Sequence, residues 1–323
     1  MAKRGDAVKP KKAAGKSDQE EDRMTEKNVD MFSETEQQGK STKYNKSNQS
    51  NVSYTQKDNK HTEKRKKGWI LPLCGLVLIL VAVVFQFFHG SIFQKDIVVK
   101  LFIEKLNKTE SSYPNQRPKL WMQSRRLISH HLKTATPTEP VSLILTSGYG
   151  AEKTLGCLAK HLAEAFSTAL NSSVLNIDGK SKASQDSDQV KQDINNNLIK
   201  AFEGEKVAAV IHRFEELPPG STLIFYRYCD HENAAFKNVL LVFTVMLDTE
   251  AEIPSSTSLD KVEDMVHDQI KRKFISSDKS AEFNQMDVDK LSGLWSRISH
   301  VILPVVAEEE TEQQGCGLES ELI

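Results

Sequence analysis

The chain has 323 residues, 38% of them hydrophobic, with 43 basic side chains against 44 acidic ones. That length gives room for one good-sized domain with appendages, and a net charge of −1 gives no electrostatic ground for a direct nucleic-acid partner. The charges are unevenly placed. Residues 1–67 contain no Leu, Ile, Trp or Cys and a single Phe, Phe32. Such a segment buries too little apolar surface to offset its chain entropy, so a disordered tail is expected there.

Trp69 to Phe85 is an unbroken apolar run that Phe87 and Phe88 extend past Gln86. At 1.5 Å per residue, twenty residues span about 30 Å, the thickness of a hydrocarbon core. The expectation is a transmembrane helix over 68–88. Lys64, Arg65, Lys66 and Lys67 precede it directly, whereas Lys95 and Lys100 are sparser. The positive-inside rule then leaves the tail in the cytosol or nucleoplasm and the C-terminal bulk in a lumen, as in a single-pass type II protein. Sequons at Asn107 and Asn171 fall on the expected luminal side, and those at Asn45, Asn48 and Asn51 fall in the tail. Glycosylation is therefore expected at Asn107 and Asn171.

Residues 89–134 read as a connector with amphipathic patches at Ile97–Ile103 and Trp121–Leu132, punctuated by Pro114, Pro118, Pro137 and Pro140. From there a domain over 135–306 alternates strands and helices. The strands are Val141–Thr146, Ser173–Asp178, Val207–His212, Val239–Leu247 and His300–Val305. Between them come helices at Leu155–Leu170, Val190–Phe202, Leu259–Ile275 and Asp287–Ile298, with a proline-opened segment over Pro218–Phe236. This pattern predicts an α/β fold, a five-stranded parallel sheet with helices on both faces. A polar, acid-rich tail carrying Cys316 follows over 307–323.

The loop after the first strand reads Ser147-Gly-Tyr-Gly-Ala-Glu-Lys-Thr154. Strand, glycine-bearing loop and helix are the setting of the G-x-x-x-x-G-K-[ST] phosphate loop, and Lys153-Thr154 keep its final pair. Ser147 and Glu152, however, replace its glycines. A side chain at 152 obstructs the backbone N–H groups that would close on phosphate. Its carboxylate also repels phosphate by about 3 kcal/mol per unit charge at ~5 Å and an effective dielectric of ~20. The third strand ends in His212-Arg213-Phe214 rather than in metal-holding acids, and Thr244 on the fourth is followed by apolar residues. No helical lid follows the fifth strand. The outline matches the large subdomain of a P-loop ATPase without its chemistry, so neither cofactor nor metal is expected.

In assembling ATPases of this shape, an arginine at the end of the helix before the fifth strand reaches into the neighbouring subunit's nucleotide site. Here that position is Arg297, in Leu294-Trp-Ser-Arg-Ile-Ser-His300. The motifs Tyr228-Cys-Asp-His-Glu-Asn-Ala-Ala-Phe-Lys237, Met286–His300 and Gly315-Cys316 resemble the torsin-interacting proteins, lamina-associated polypeptide 1 and its endoplasmic-reticulum relative. The resemblance covers about residues 120–316. It implies a luminal, nucleotide-free, AAA+-like domain that binds an ATP-loaded torsin ATPase as a hetero-oligomer and supplies Arg297 as an arginine finger in trans. It also implies residence in the endoplasmic reticulum or inner nuclear membrane, with possible lamina or chromatin contact through the tail.

Beyond the apolar run lie Cys157, Cys229 and Cys316, which allow one pair and one leftover thiol. The resemblance implies Cys157–Cys316, and a fifth strand lying beside the first agrees with it. His130, His131, His212, His231, His267 and His300 show no metal-ligand spacing along the chain. Two rival functions stand beside the activator: a divergent but active NTPase using Lys153 and Thr154, and a structural tether working through its tail.

Overall fold

The computed structural model describes residues 70–275 and 285–317, apart from the side chains of 70–74 and 87–92. The expected disordered tail over 1–67, with its sequons at Asn45, Asn48 and Asn51, lies outside these residues. Five parallel strands, β1 (Val141–Ser147), β2 (Ser173–Asp178), β3 (Lys206–His212), β4 (Leu240–Met246) and β5 (Ile302–Pro304), form one sheet in the order β2-β3-β4-β1-β5. β1 and β4 are buried at every position because both faces of a central parallel strand are covered.

Alternation divides each strand between two cores. Leu143, Leu145, Ala208, Val210, Leu240 and Val242 face one layer, built from α1 (Ile70–Ser112), α2 (Pro118–Lys133) and α3 (Glu152–Ala169). Ile144, Ala209, Ile211, Leu241, Phe243 and Val245 face the other. That second layer holds α4 (Ser187–Phe202), α5 (Phe225–Tyr228), α6 (Leu259–Phe274) and α7 (Val288–Ile298). Asp186, Ser258 and Asp287 each cap a helix start by accepting from the N–H three residues on, which satisfies otherwise orphaned donors. A last helix, α8 (Glu309–Gln314), forms within the acid-rich tail.

The membrane expectation needs correction. Among the described residues no helix is long and apolar enough to cross a membrane. α1 continues from the apolar run into charged residues such as Lys95, Asp96 and Lys100, and its C-terminal half packs into the first core. The transmembrane helix over 68–88, the type II topology, and with them the stated placement across an endoplasmic-reticulum or inner nuclear membrane that the resemblance implied, are not upheld. Two smaller differences follow from packing. Residues expected to connect instead complete the first core: Phe102, Leu106, Tyr113, Leu120, Trp121 and Ile128 are all buried in it. The stretch from Pro218 gives a 3₁₀ segment at Pro219–Ile224 and the single turn of α5 rather than a regular helix.

His131 on α2 packs its ring against Phe166, with centroids 6.4 Å apart, and its Nε2 is buried without a hydrogen-bond partner. Burial, with His130 adding to it, lowers its pKa to about 4. The unfolded imidazole takes up a proton below about pH 6.5, which the folded one refuses until about pH 4. Stability is therefore lost as pH falls through that window. For this half-buried ring the loss should be roughly 2 kcal/mol by pH 4.5, after discounting for solvent screening. Urea midpoints at pH 7 and 4.5 should converge in His131→Leu; a parent-like pH slope in that variant would refute the assignment.

Candidate functional site

The loop between β1 and α3 brings Ser147, Glu152, Lys153 and Thr154 to the C-terminal edge of the sheet, where ligands bind open α/β sheets. Gly148 is held close: a Cβ there would stand 2.6 Å from the carbonyl oxygen of Thr249 and 2.8 Å from that of Ala251. Ser147 ends β1, buried, with its Oγ donating to the Ala151 carbonyl at 3.4 Å. The N-terminus of α3 offers the free N–H groups that would attract an anion. The group that meets them is Glu312 of α8. Its carboxylate accepts from the Thr154 N–H at 2.7 Å, the Thr154 hydroxyl at 2.6 Å and the Lys153 N–H at 3.3 Å. Lys153 Nζ donates to the Glu312 carbonyl at 2.6 Å, and the Glu308 N–H donates to Thr154 Oγ1 at 3.0 Å. Cys157 is joined to Cys316, so α8 is fastened to α3 one turn further on. Glu312→Ala should cost about 1–2 kcal/mol, the range for charge-assisted bonds whose donors lose their partner. Urea denaturation measures it, and a change within error would refute the contact.

Glu152 behaves differently from its sequence reading. Rather than facing the loop as a lone repelling charge, it accepts from Arg213 Nη1 at 2.7 Å. Arg213 follows β3 in a left-handed conformation, φ 53°, and its side chain is buried. It also pairs with Glu215 at 2.6 Å and Glu216 at 3.3 Å, and its N–H donates to Thr244 Oγ1 at 2.8 Å. Burial pushes the Glu215 carboxyl up to about 7 against the pull of Arg213. Thr244 also bonds His212 Nδ1 at 2.9 Å, and burial lowers the pKa of that histidine. The His212 ring in turn lies over Gly156, whose Cβ would stand 3.1 Å from it. The space beside the loop is thus occupied by the protein's own side chains.

Arg297 lies elsewhere, in the last turn of α7. Its Nη1 donates to the Gly293 carbonyl at 2.8 Å. Nε and Nη2 reach one oxygen of Asp230 at 3.3 and 3.2 Å, and the guanidinium sits over the Tyr226 ring at 4.8 Å. Tyr226 is fixed by donating to the Lys290 carbonyl. Asp230 is held by the N–H groups of Asn233 and Glu232, which with Arg297 keep its carboxyl below the usual carboxylate range. The Arg297 side chain remains 26% exposed. It is a partly exposed cation held by carboxylate, carbonyl and ring.

Asn171 takes a left-handed conformation, φ 52°, in the turn after α3. Asn107 lies on α1 with its Oδ1 accepting from Arg125 at 2.8 Å. Cys229 is a buried free thiol. Glu312, Arg213, Asp230 and Tyr226 were not singled out from the sequence. A signal for Glu312 existed: a tail pinned by Cys316 near Cys157 carries its preceding acids past the start of α3.

Residues 86–317 match the family model described as lamina-associated polypeptide 1, AAA+ activator domain. Torsin-1A-interacting protein 1 of Mus musculus is 43% identical over 251 residues, 77% of this chain and 41% of that protein. The Homo sapiens protein of the same name is 42% identical over 254 residues, 78% of this chain and 43% of its own. The chain therefore spans less than half the length of these relatives. A DNA polymerase III gamma subunit-related protein of Thermotoga maritima overlaps 59% of this chain and 48% of its own at 12% identity. Its TM-score of 0.33 is too low to carry an argument. The breadth of the family match and the identity to these relatives place the chain in the lamina-associated polypeptide 1 family, whose AAA+ activator domain it carries.

Proposed function

We propose that this chain activates a torsin-type AAA+ ATPase by supplying Arg297 in trans, while binding no nucleotide itself. The observation that carries the reading is Arg297: it lies in the last turn of the helix before β5, is braced by Asp230, Gly293 and Tyr226, and keeps part of its side chain exposed. A planar guanidinium suits forked contact with phosphate oxygens. Relatives named as torsin-interacting proteins supply the class of partner. Glu312 on the α3 N-terminus supports the nucleotide-free half of the reading, since it takes the N–H groups a bound phosphate would need, and Arg213 nearby is itself engaged by carboxylates. The covalent hold of Cys157 on Cys316 keeps Glu312 there.

The test is to mix the purified chain with a torsin-type ATPase and ATP, and to measure phosphate release and complex formation. Hydrolysis that rises with added chain supports the proposal; a complex without stimulation removes the activator role. Micromolar ATP binding by the chain alone would favour a divergent NTPase instead. Glycosylation at Asn171 suits its exposed turn, and peptide mapping of secreted or native material decides it.

A further inference from the structure

Three side chains converge beside the Arg297 cradle without taking part in it. Glu139 lies two residues ahead of β1, His300 two residues ahead of β5, and His231 directly after Asp230. β1 and β5 are neighbours, with Ile144 opposite Ile302, so the sheet delivers both approach segments to one edge. Ser142 Oγ donates to the Ile298 carbonyl at 2.8 Å, which ties the start of β1 to the helix end that presents His300. His231 is placed by the turn that Asp230 organises through the Glu232 and Asn233 N–H groups. The His231 and His300 rings stack, with centroids 5.2 Å apart and 13° between planes. His231 Nδ1 is 2.6 Å from a Glu139 oxygen. One ligand atom from each of the three lies within 4.8 Å of the others.

We propose that Glu139, His231 and His300 form a site for a divalent zinc-class metal ion. Two imidazoles and a carboxylate are a donor set that zinc accepts, with a fourth position left to water or to a side chain of a bound protein. Tetrahedral ligands at 2.0–2.2 Å stand about 3.4 Å apart, so the three ligand atoms, now within 4.8 Å of one another, have to draw together and the imidazole stack has to open for metal to enter. An ordinary carboxylate–imidazole pair accounts for Glu139 and His231 and leaves His300 only its stacking contact. Three ligands from three chain segments also make the ion a clasp. With it bound, the 230–233 turn is fastened to the sheet edge, and that turn is what braces Arg297.

Both histidines are exposed, so their replacement should leave the fold intact, which an unchanged urea midpoint verifies. The full chain, stripped of metal by chelator, is titrated with Co²⁺ and followed by its visible absorption, and with Zn²⁺ by calorimetry. The expected result is a cobalt band of four-coordinate intensity that Zn²⁺ displaces. His231→Ala and His300→Ala should each weaken binding about ten-fold or more, and Glu139→Gln should weaken it less. Absence of the band, or affinity in both histidine variants equal to that of the parent, overturns the site. Either result is read without any ATPase, so it stands apart from the activator proposal.

Discussion

Arg297→Ala is expected to abolish stimulation of the torsin-type ATPase while leaving the complex formed. A trans arginine of this kind is worth about 10³–10⁵ in rate, or roughly 4–7 kcal/mol of barrier. Binding, by contrast, is spread over an interface of which this residue is one part. Arg297→Lys distinguishes charge from geometry. Lysine keeps the charge but loses the planar fork that contacts Asp230, the Gly293 carbonyl and the Tyr226 face together, so most of the stimulation should disappear with it. The measurement is steady-state phosphate release alongside a pull-down of the two proteins. Stimulation by Arg297→Ala equal to that of the parent would sink the mechanism. Loss of the complex itself would move Arg297 from chemistry to docking.

The second large effect concerns the Cys157–Cys316 bond, which closes a sequence separation of 159 residues. In the chain-entropy model a loop of that size contributes up to about 5 kcal/mol by restricting the unfolded ensemble. Locally the bond does more. α8 has six residues, far below the roughly 12–15 that an isolated helix needs in water, so it depends on this bond and on the Glu308 and Glu312 contacts. Cys316→Ser, or reduction of the parent, should lower the urea-derived unfolding free energy by about 3–5 kcal/mol and expose the amides of Lys153 and Thr154 to hydrogen exchange. A stability within about 1 kcal/mol of the oxidised parent, with those amides still protected, would refute both parts.

Elements whose character is set within ten or so residues were legible in the sequence. The buried run that became β1, the continuous apolar run that became β4, and the periodic faces of α6 and α7 owe their form to burial on known sides. The loop after β1 and the place of Arg297 in the last turn of α7 could also be located along the chain, because both are fixed by position relative to strands. Contacts across the chain were not legible. Glu312 reaches Thr154 over 158 positions, and Arg213 reaches Glu152 over 61, so Glu152 read as an unpaired repulsive charge when it is one partner of a network. Glu139, His231 and His300 showed no ligand spacing for the same reason: the sheet edge, not the linear order, brings them together. The apolar run at 69–88 was read from its length and unbroken apolar character, and among the described residues no helix is both long and apolar enough to cross a membrane.

The enclosure of Cys229 has a consequence for how the covalent bond is kept correct. Burial raises the pKa of that thiol far above its ordinary value, and exchange requires a thiolate with access to sulfur. Once the second core has closed around it, this sulfur can neither attack the finished bridge nor be captured by a neighbouring molecule. Among the described residues the folded chain therefore has no internal route to a scrambled partner, and a correct first pairing persists without surveillance.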